Sequence, residues 1–283
     1  MTEHWPDRSR RIAAAFLAAC LDELAAPKPG NVHRFAAGHR MEVADFEQSA
    51  AVAAPLLCRP GAPLGARIFE AVAATRAAVG QNTNLGIILL CAPLAMAAER
   101  AEAPLRAALG AVLEEADLAD TEAVFRAIAL AAPAGLGRAA RYDVHAPAQV
   151  PLKLAMAEAA GRDMIARQWQ NHFADIFGLG LSALAAPLPS PWPIVRVYLA
   201  FLAAFPDSHV ARKWGTAAAE AVQREGQAWL ARLENTADPE ALLPELLAWD
   251  AALKSRGINP GTSADLTVAS LFAKQLLELA PSA

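Results

Sequence analysis

The chain has 283 residues, 55% of them hydrophobic and 19% charged, with a net charge of −4. That length can bury a large core, and such an apolar composition excludes an intrinsically disordered polymer. The slight acidity excludes the basic field that would draw nucleic acid or an anionic membrane surface.

About a quarter of the residues are alanine, and valine, isoleucine and threonine together make about a tenth. Alanine is the best helix former and β-branched residues favour strands. The predicted fold class is therefore all-α. The first eleven residues carry acids and no apolar stretch, so no secretory signal is expected there. A first helix is predicted over residues 9–26, ending at Pro27, Pro29 and Gly30. Further helices follow over 43–57, 64–79, 85–98, 104–116 and 121–131. The stretch 85–98 is the most apolar, but a bilayer crossing needs about 20 residues, so it reads as a core helix. After a glycine-rich loop come helices from about 151, then over 163–177, 192–204, 208–233, 239–254 and 263–279. No linker and no fixed-period repeat interrupts them, so residues 1–283 are read as one compact multi-helix domain.

Cys20, Cys58 and Cys91 are an odd number, widely spaced in apolar helical contexts. They read as buried small hydrophobes of a cytoplasmic protein, not as a disulfide framework or a zinc or iron–sulfur cluster. His4, His39 and His172 read as surface or core histidines. GLGRAA at 135–140 and GLGLSA at 178–183 match a dinucleotide fingerprint, but helical stretches precede both where a strand is needed. Glycines that end helices account for both matches.

In so apolar a chain, the polar clusters beside glycine or proline carry the information. The first contains Lys28, Gly30, Asn31, His33 and Arg34, where two prolines stiffen a loop rich in phosphate-binding groups. The second, Gln81 to Asn84, places four amide or hydroxyl side chains ahead of a helix N-terminus, which attracts anions. The third contains Asp207, Ser208, His209, Arg212 and Lys213, an acid, a histidine and two cations. The fourth runs from Gly257 to Asp265 and includes Gly261 and Ser263, a tight loop opening the last helix. A weaker fifth, Arg141 to His145, includes Asp143. Helix capping and solvated charge explain each cluster separately, Asp207 especially well.

Three segments, PKPGNVHRF, GQNTNLGIILL and NPGTSADL, resemble in order the triphosphoribosyl-dephospho-CoA synthase family, the CitG/MdcB-like proteins. The resemblance spans about residues 27 to 270. PDSHVARKWG and RYDVHAP are similar to the branch found in archaea and methylotrophic bacteria. The chain has Asn84 where the citrate- and malonate-decarboxylase members usually have histidine, and it lacks their glycine-arginine-glycine-glutamate segment.

The resemblance implies an enzyme that transfers a triphosphoribosyl group from ATP to 3′-dephospho-CoA, or to a related cofactor precursor, and releases adenine. The partners it implies are ATP and the acceptor, with a possible homodimer and no nucleic acid or membrane. It implies magnesium with the ATP, and no haem or flavin. In that chemistry Lys28, Arg212 and Lys213 are expected to hold phosphates, with Gly30, Thr83, Gly261 and Ser263 lending backbone amides. Asn31, Asn82 and Asn84 would orient ribose and phosphate oxygens. Asp207, Asp143 and Asp265 are expected at the metal, Asp265 also at the ribosyl cation, and His33 or His209 at proton transfer. The alternatives are a related transferase making a methanopterin-type one-carbon carrier, a non-catalytic nucleotide-binding module, and a helical interaction protein without a small ligand.

Overall fold

The computed structural model describes residues 5–100 and 102–279, so His4 and the first four residues lie outside it. Fourteen α-helices are found in the described residues: α1 (Asp7–Ala25), α2 (Val43–Leu57), α3 (Leu64–Val79), α4 (Leu85–Glu99), α5 (Leu105–Glu115), α6 (Leu118–Ala131) and α7 (Leu152–Ala159). Then come α8 (Met164–Gln170), α9 (Leu181–Leu184), α10 (Trp192–Ala204), α11 (Ser208–Trp214), α12 (Thr216–Glu234), α13 (Leu243–Ser255) and α14 (Gly261–Glu278). Among the described residues there is no strand, only isolated bridges between His33 and Ala36 and between Gly38 and Met41. The expected all-α class is what the chain adopts. It also removes any βαβ setting for the two dinucleotide-like matches.

Helix α4 is the centre of the fold. Twelve of its fifteen residues are buried, among them Ile88, Leu90 and Leu94. A helix apolar on every side has no solvent face to present, so neighbours must surround it. Helices α1, α3, α5 and α14 do so. Helix α14 is buried along twelve of its eighteen residues and is packed by α1, α4 and α10. A second apolar cluster joins α10 to α11, α12 and α13 through Tyr198, Leu202, Val210, Val222 and Leu253. No single described helix is long and apolar enough to cross a membrane. The pair α10 and α11 reaches that length and composition together, but bends by 52° between its members.

The expected boundaries differ in two places. The stretch 208–233 is two helices, because Gly215 (φ 87°, ψ 163°) adopts a conformation open in practice only to glycine. The helix expected to reach 177 stops at Gln170. His172 and Phe173 turn left-handed, and Gln168, Asn171 and Arg167 all donate to the Asp175 carboxylate across that turn. The chain resumes as a π-helical turn, Ile176–Gly180, running into α9. The three cysteines are free and buried, and burial pushes their thiols up.

Candidate active site

A cavity of about 630 Å³ opens where the starts of α4, α11 and α14 meet the end of α1 and the loop after α6. Its size suits a small-molecule site. All five polar clusters send residues to its wall, four of them through Asn82, Thr83 and Asn84; His209 and Arg212; Gly261 and Asp265; and Asp143. Asn31 represents the first cluster there. Residues nearly the whole chain apart are thus brought into one hollow.

The loops are fixed by hydrogen bonds between clusters. Asn31 Nδ2 donates to Asn259 Oδ1 at 2.8 Å, tying the proline-rich loop to the entry of α14. Gly30 has φ 84°, and a Cβ there would lie 2.8 Å from Pro260 Cδ, so only glycine permits this contact. Ser49 Oγ and Thr83 Oγ1 share a hydrogen bond of 2.6 Å that seats the α4 entry on α2.

Several expected ligand groups stand behind the wall. Lys28 is completely buried. Its Nζ lies 2.9 Å from Glu23 Oε1 and donates to the Val32 carbonyl at 2.6 Å, so it is not free to hold phosphate. Asp207 does not fit a metal ligand. Its Oδ1 accepts from the His209 and Val210 amides, and its Oδ2 from the Ser263 amide and hydroxyl at 2.8 and 2.9 Å. It caps α11 and clamps the start of α14, while Ser263 faces Asp207 rather than the cavity. His33 is buried away from the cavity with Nε2 3.4 Å from Asp250 Oδ1, so it does not face the site for proton transfer. Gly30 donates to that same carboxylate at 2.8 Å. Lys213 lies outside the wall, above the Trp214 ring.

Among the residues on the wall, Asn84 Nδ2 and Arg212 Nε are buried donors without a protein partner, and the Asp265 carboxylate is left open. Asn84 is 5% exposed, and its Nδ2 is a buried donor with no acceptor. Helix α4 is capped instead by Asn82, whose Oδ1 accepts the Leu85 amide at 3.1 Å. Asp265 is half-buried, accepts no hydrogen bond, and sits so close to α4 that a Cβ on Gly86 would fall 2.1 Å from its Oδ2. Burial, and then the Asp207 and Glu23 carboxylates, push its carboxyl well above the usual range, with Arg212 opposing them.

Asp143 contrasts with it. The Ala139 and His145 amides, the His145 ring and Arg138 all serve its carboxylate and hold it below the usual range, so it orders its loop instead of waiting for a metal. The His209 ring is pushed down to about 4 by burial and by Arg212 and Lys213, which leaves it neutral near pH 7.

The wall also carries residues the sequence reading passed over. Glu23, near the end of α1, lies on the wall and is 4% exposed. Asp163 caps α8 and pairs with Arg212. Arg138, Arg141 and Arg162 bring three more cations, and the GLGR turn, Gly135 to Arg138, lines the hollow although it is no dinucleotide fingerprint. The fifth polar cluster was the available signal for that loop.

Residues 9–282 match the family described as ATP:dephospho-CoA triphosphoribosyl transferase, CitG. The chain belongs to that family. A CitG-family protein is a transferase of the triphosphoribosyl-dephospho-CoA synthase type, joining ATP to dephospho-CoA. The fold is similar to the crystal structure of an Archaeoglobus fulgidus protein provisionally assigned as a triphosphoribosyl-dephospho-CoA synthase. The two chains are 26% identical with a TM-score of 0.62, and the likeness covers 82% of this chain and 97% of that one. No curated protein matches the sequence.

Proposed function

We propose that this CitG-family cavity binds magnesium-ATP and 3′-dephospho-CoA and joins C1 of the ATP ribose to the acceptor's 2′-hydroxyl, releasing adenine. The observation that carries this reading is the pair Asn84 and Asp265. A donor and an acceptor, neither with a protein partner, face one cavity where two helix N-termini meet. A buried polar group without a partner is costly, so a ligand that completes it gains strongly.

The triphosphate remains on the product and has to be gripped rather than cleaved. Arg212, with the cations Arg138, Arg141 and Arg162 and the amides at the starts of α4 and α14, supplies that grip. Asn84 donates to a ribose or phosphate oxygen, and Asn31, Asn82 and Thr83 shape the same wall. Among the described residues no three His, Cys, Asp or Glu side chains form a metal cage. Magnesium carried by ATP needs only one or two protein carboxylates. Of the three expected metal ligands, Asp265 has its oxygens free, so it fits that role, and the ion would neutralise phosphate charge. Neutral His209 can accept a hydrogen bond from substrate.

The test is release of adenine on mixing the protein with magnesium-ATP and dephospho-CoA. No adenine, with the protein folded, overturns dephospho-CoA as acceptor. Asn84, standing where the decarboxylase-associated members have histidine, favours a second reading, a related acceptor in one-carbon cofactor biosynthesis. Adenine release with such an acceptor and not with dephospho-CoA would establish it.

A further inference from the structure

We propose that Glu23 is the base that takes the proton of the acceptor hydroxyl, and that Lys28 is the residue that positions it; this deepens the transferase reading above and rests on it. Glu23 lies in the last turn of α1 and lines the cavity while 4% exposed. Lys28 holds its Oε1 at 2.9 Å from a site without solvent access and is itself steadied by the Val32 carbonyl. No backbone amide and no other side chain donates to the Glu23 carboxylate. Burial raises the Glu23 carboxyl and the Lys28 cation opposes that rise from one side, while the other side of the carboxylate is open to the cavity.

Three of the other carboxylates on the wall are already paired. Asp163 caps α8 and pairs with Arg212, Asp143 is held by its own loop, and Glu158 lies 3.2 Å from Arg141. Asp265 is the group that fits the metal of magnesium-ATP. His209 stands among Arg212 and Lys213, and gaining a proton would add a third positive charge there. Glu23 stands instead on the Asp265 side. It shares a second small hollow with Asn84 and Phe46, and its charge acts on Asp265.

In the step, the bond between the 2′-oxygen and ribose C1 forms as the bond from C1 to adenine N9 breaks. The bonding pair leaves with adenine, which takes one proton from water. The hydroxyl proton passes to Glu23 and from there to solvent, so atoms and charge balance.

Three variants test this: Glu23→Gln, Lys28→Met, and the double variant Glu23→Gln/Lys28→Met. The double variant removes both charges of the buried pair and so avoids leaving either uncompensated. With the helical circular dichroism and melting of the parent retained, adenine release by Glu23→Gln and by the double variant is expected to fall about 100-fold or more, the usual worth of a positioned base. Affinity for magnesium-ATP, by calorimetry, is expected to stay within about threefold of the parent, since a base acts on the chemical step and not on ATP binding. Lys28→Met should show the same split, because a buried carboxylate without its cation takes up a proton and ceases to be a base. Turnover of the folded Glu23→Gln protein near the parental rate would overturn the role of Glu23 alone. So would loss of ATP affinity in proportion to turnover. A parent that releases no adenine would instead overturn the transferase reading, and this role with it.

Discussion

At the scale of single residues, environment decides which titratable groups of the site are chemically available. Asp207, buried, and Asp265, half-buried, are both acids near the start of α14. Four donors occupy the first and none reaches the second. His209 shows the same control by surroundings. Its ring is pushed down to about 4 from an ordinary value near 6.5, by burial first and then by Arg212 and Lys213. Between those two pH values the unfolded chain binds a proton that the folded chain refuses. The folded state therefore has its full advantage above pH 6.5 and loses it as pH falls toward 4. A shift of that size corresponds to at most about 3 kcal/mol. Melting His209→Asn and the parent at pH 7 and pH 4.5 should show a shallower acid loss in the variant, by about 2 kcal/mol. Equal losses would mean the ring protonates freely in the folded protein.

At the scale of elements, the site depends on how closely two helix starts approach. Asp265 in the first turns of α14 reaches α4 because Gly86 has no side chain. Gly86→Ala should leave the helix intact, since alanine is the better helix former by about 1 kcal/mol. Its Cβ would nevertheless lie where Asp265 Oδ2 now sits, 2.1 Å away, and that carboxylate has to move. The expected outcome is parental melting with affinity for magnesium-ATP weakened about tenfold, the equivalent of about 1.4 kcal/mol. Unchanged affinity in calorimetry would remove Asp265 from the nucleotide site.

At the scale of the whole molecule, ligand binding and stability should be coupled. The cavity is walled by α1, α4, α11 and α14 together with the loop after α6, so occupation ties the large core to the α10–α13 cluster. A ligand that binds only the native state, at about 100 times its Kd, adds about 2.7 kcal/mol. For a chain of this size that raises Tm by about 5 °C or more. Magnesium-ATP should produce this shift, ATP with excess chelator a smaller one, and magnesium alone almost none. A full shift without magnesium would remove the metal from the Asp265 role.

Much of the helical plan was legible in the sequence, because alanine content, apolar periodicity and proline or glycine stops act over a few residues. Those same local signals placed the end of α1 ahead of Pro27 and the entry to α4. They missed Gly215, whose effect on a long periodic stretch depends on which conformation it takes, and the π-helical turn at Ile176–Gly180. The polar clusters likewise marked where the site's walls come from, since an apolar chain has few reasons to gather amides and charges beside glycine. Pattern could not say which way each side chain faces. Lys28 and Asp265 belong to equally prominent motifs, yet one is sealed against Glu23 and the other lines the cavity. Glu23, Asp163 and Arg162 carried no motif and became part of the site only because distant helices meet there. Sequence by itself determined the helices and the loops that interrupt them, through local energetics. Only tertiary packing decided which charges pair with one another and which are left for a ligand, because that choice rests on contacts between residues as far apart as Asn31 and Asn259.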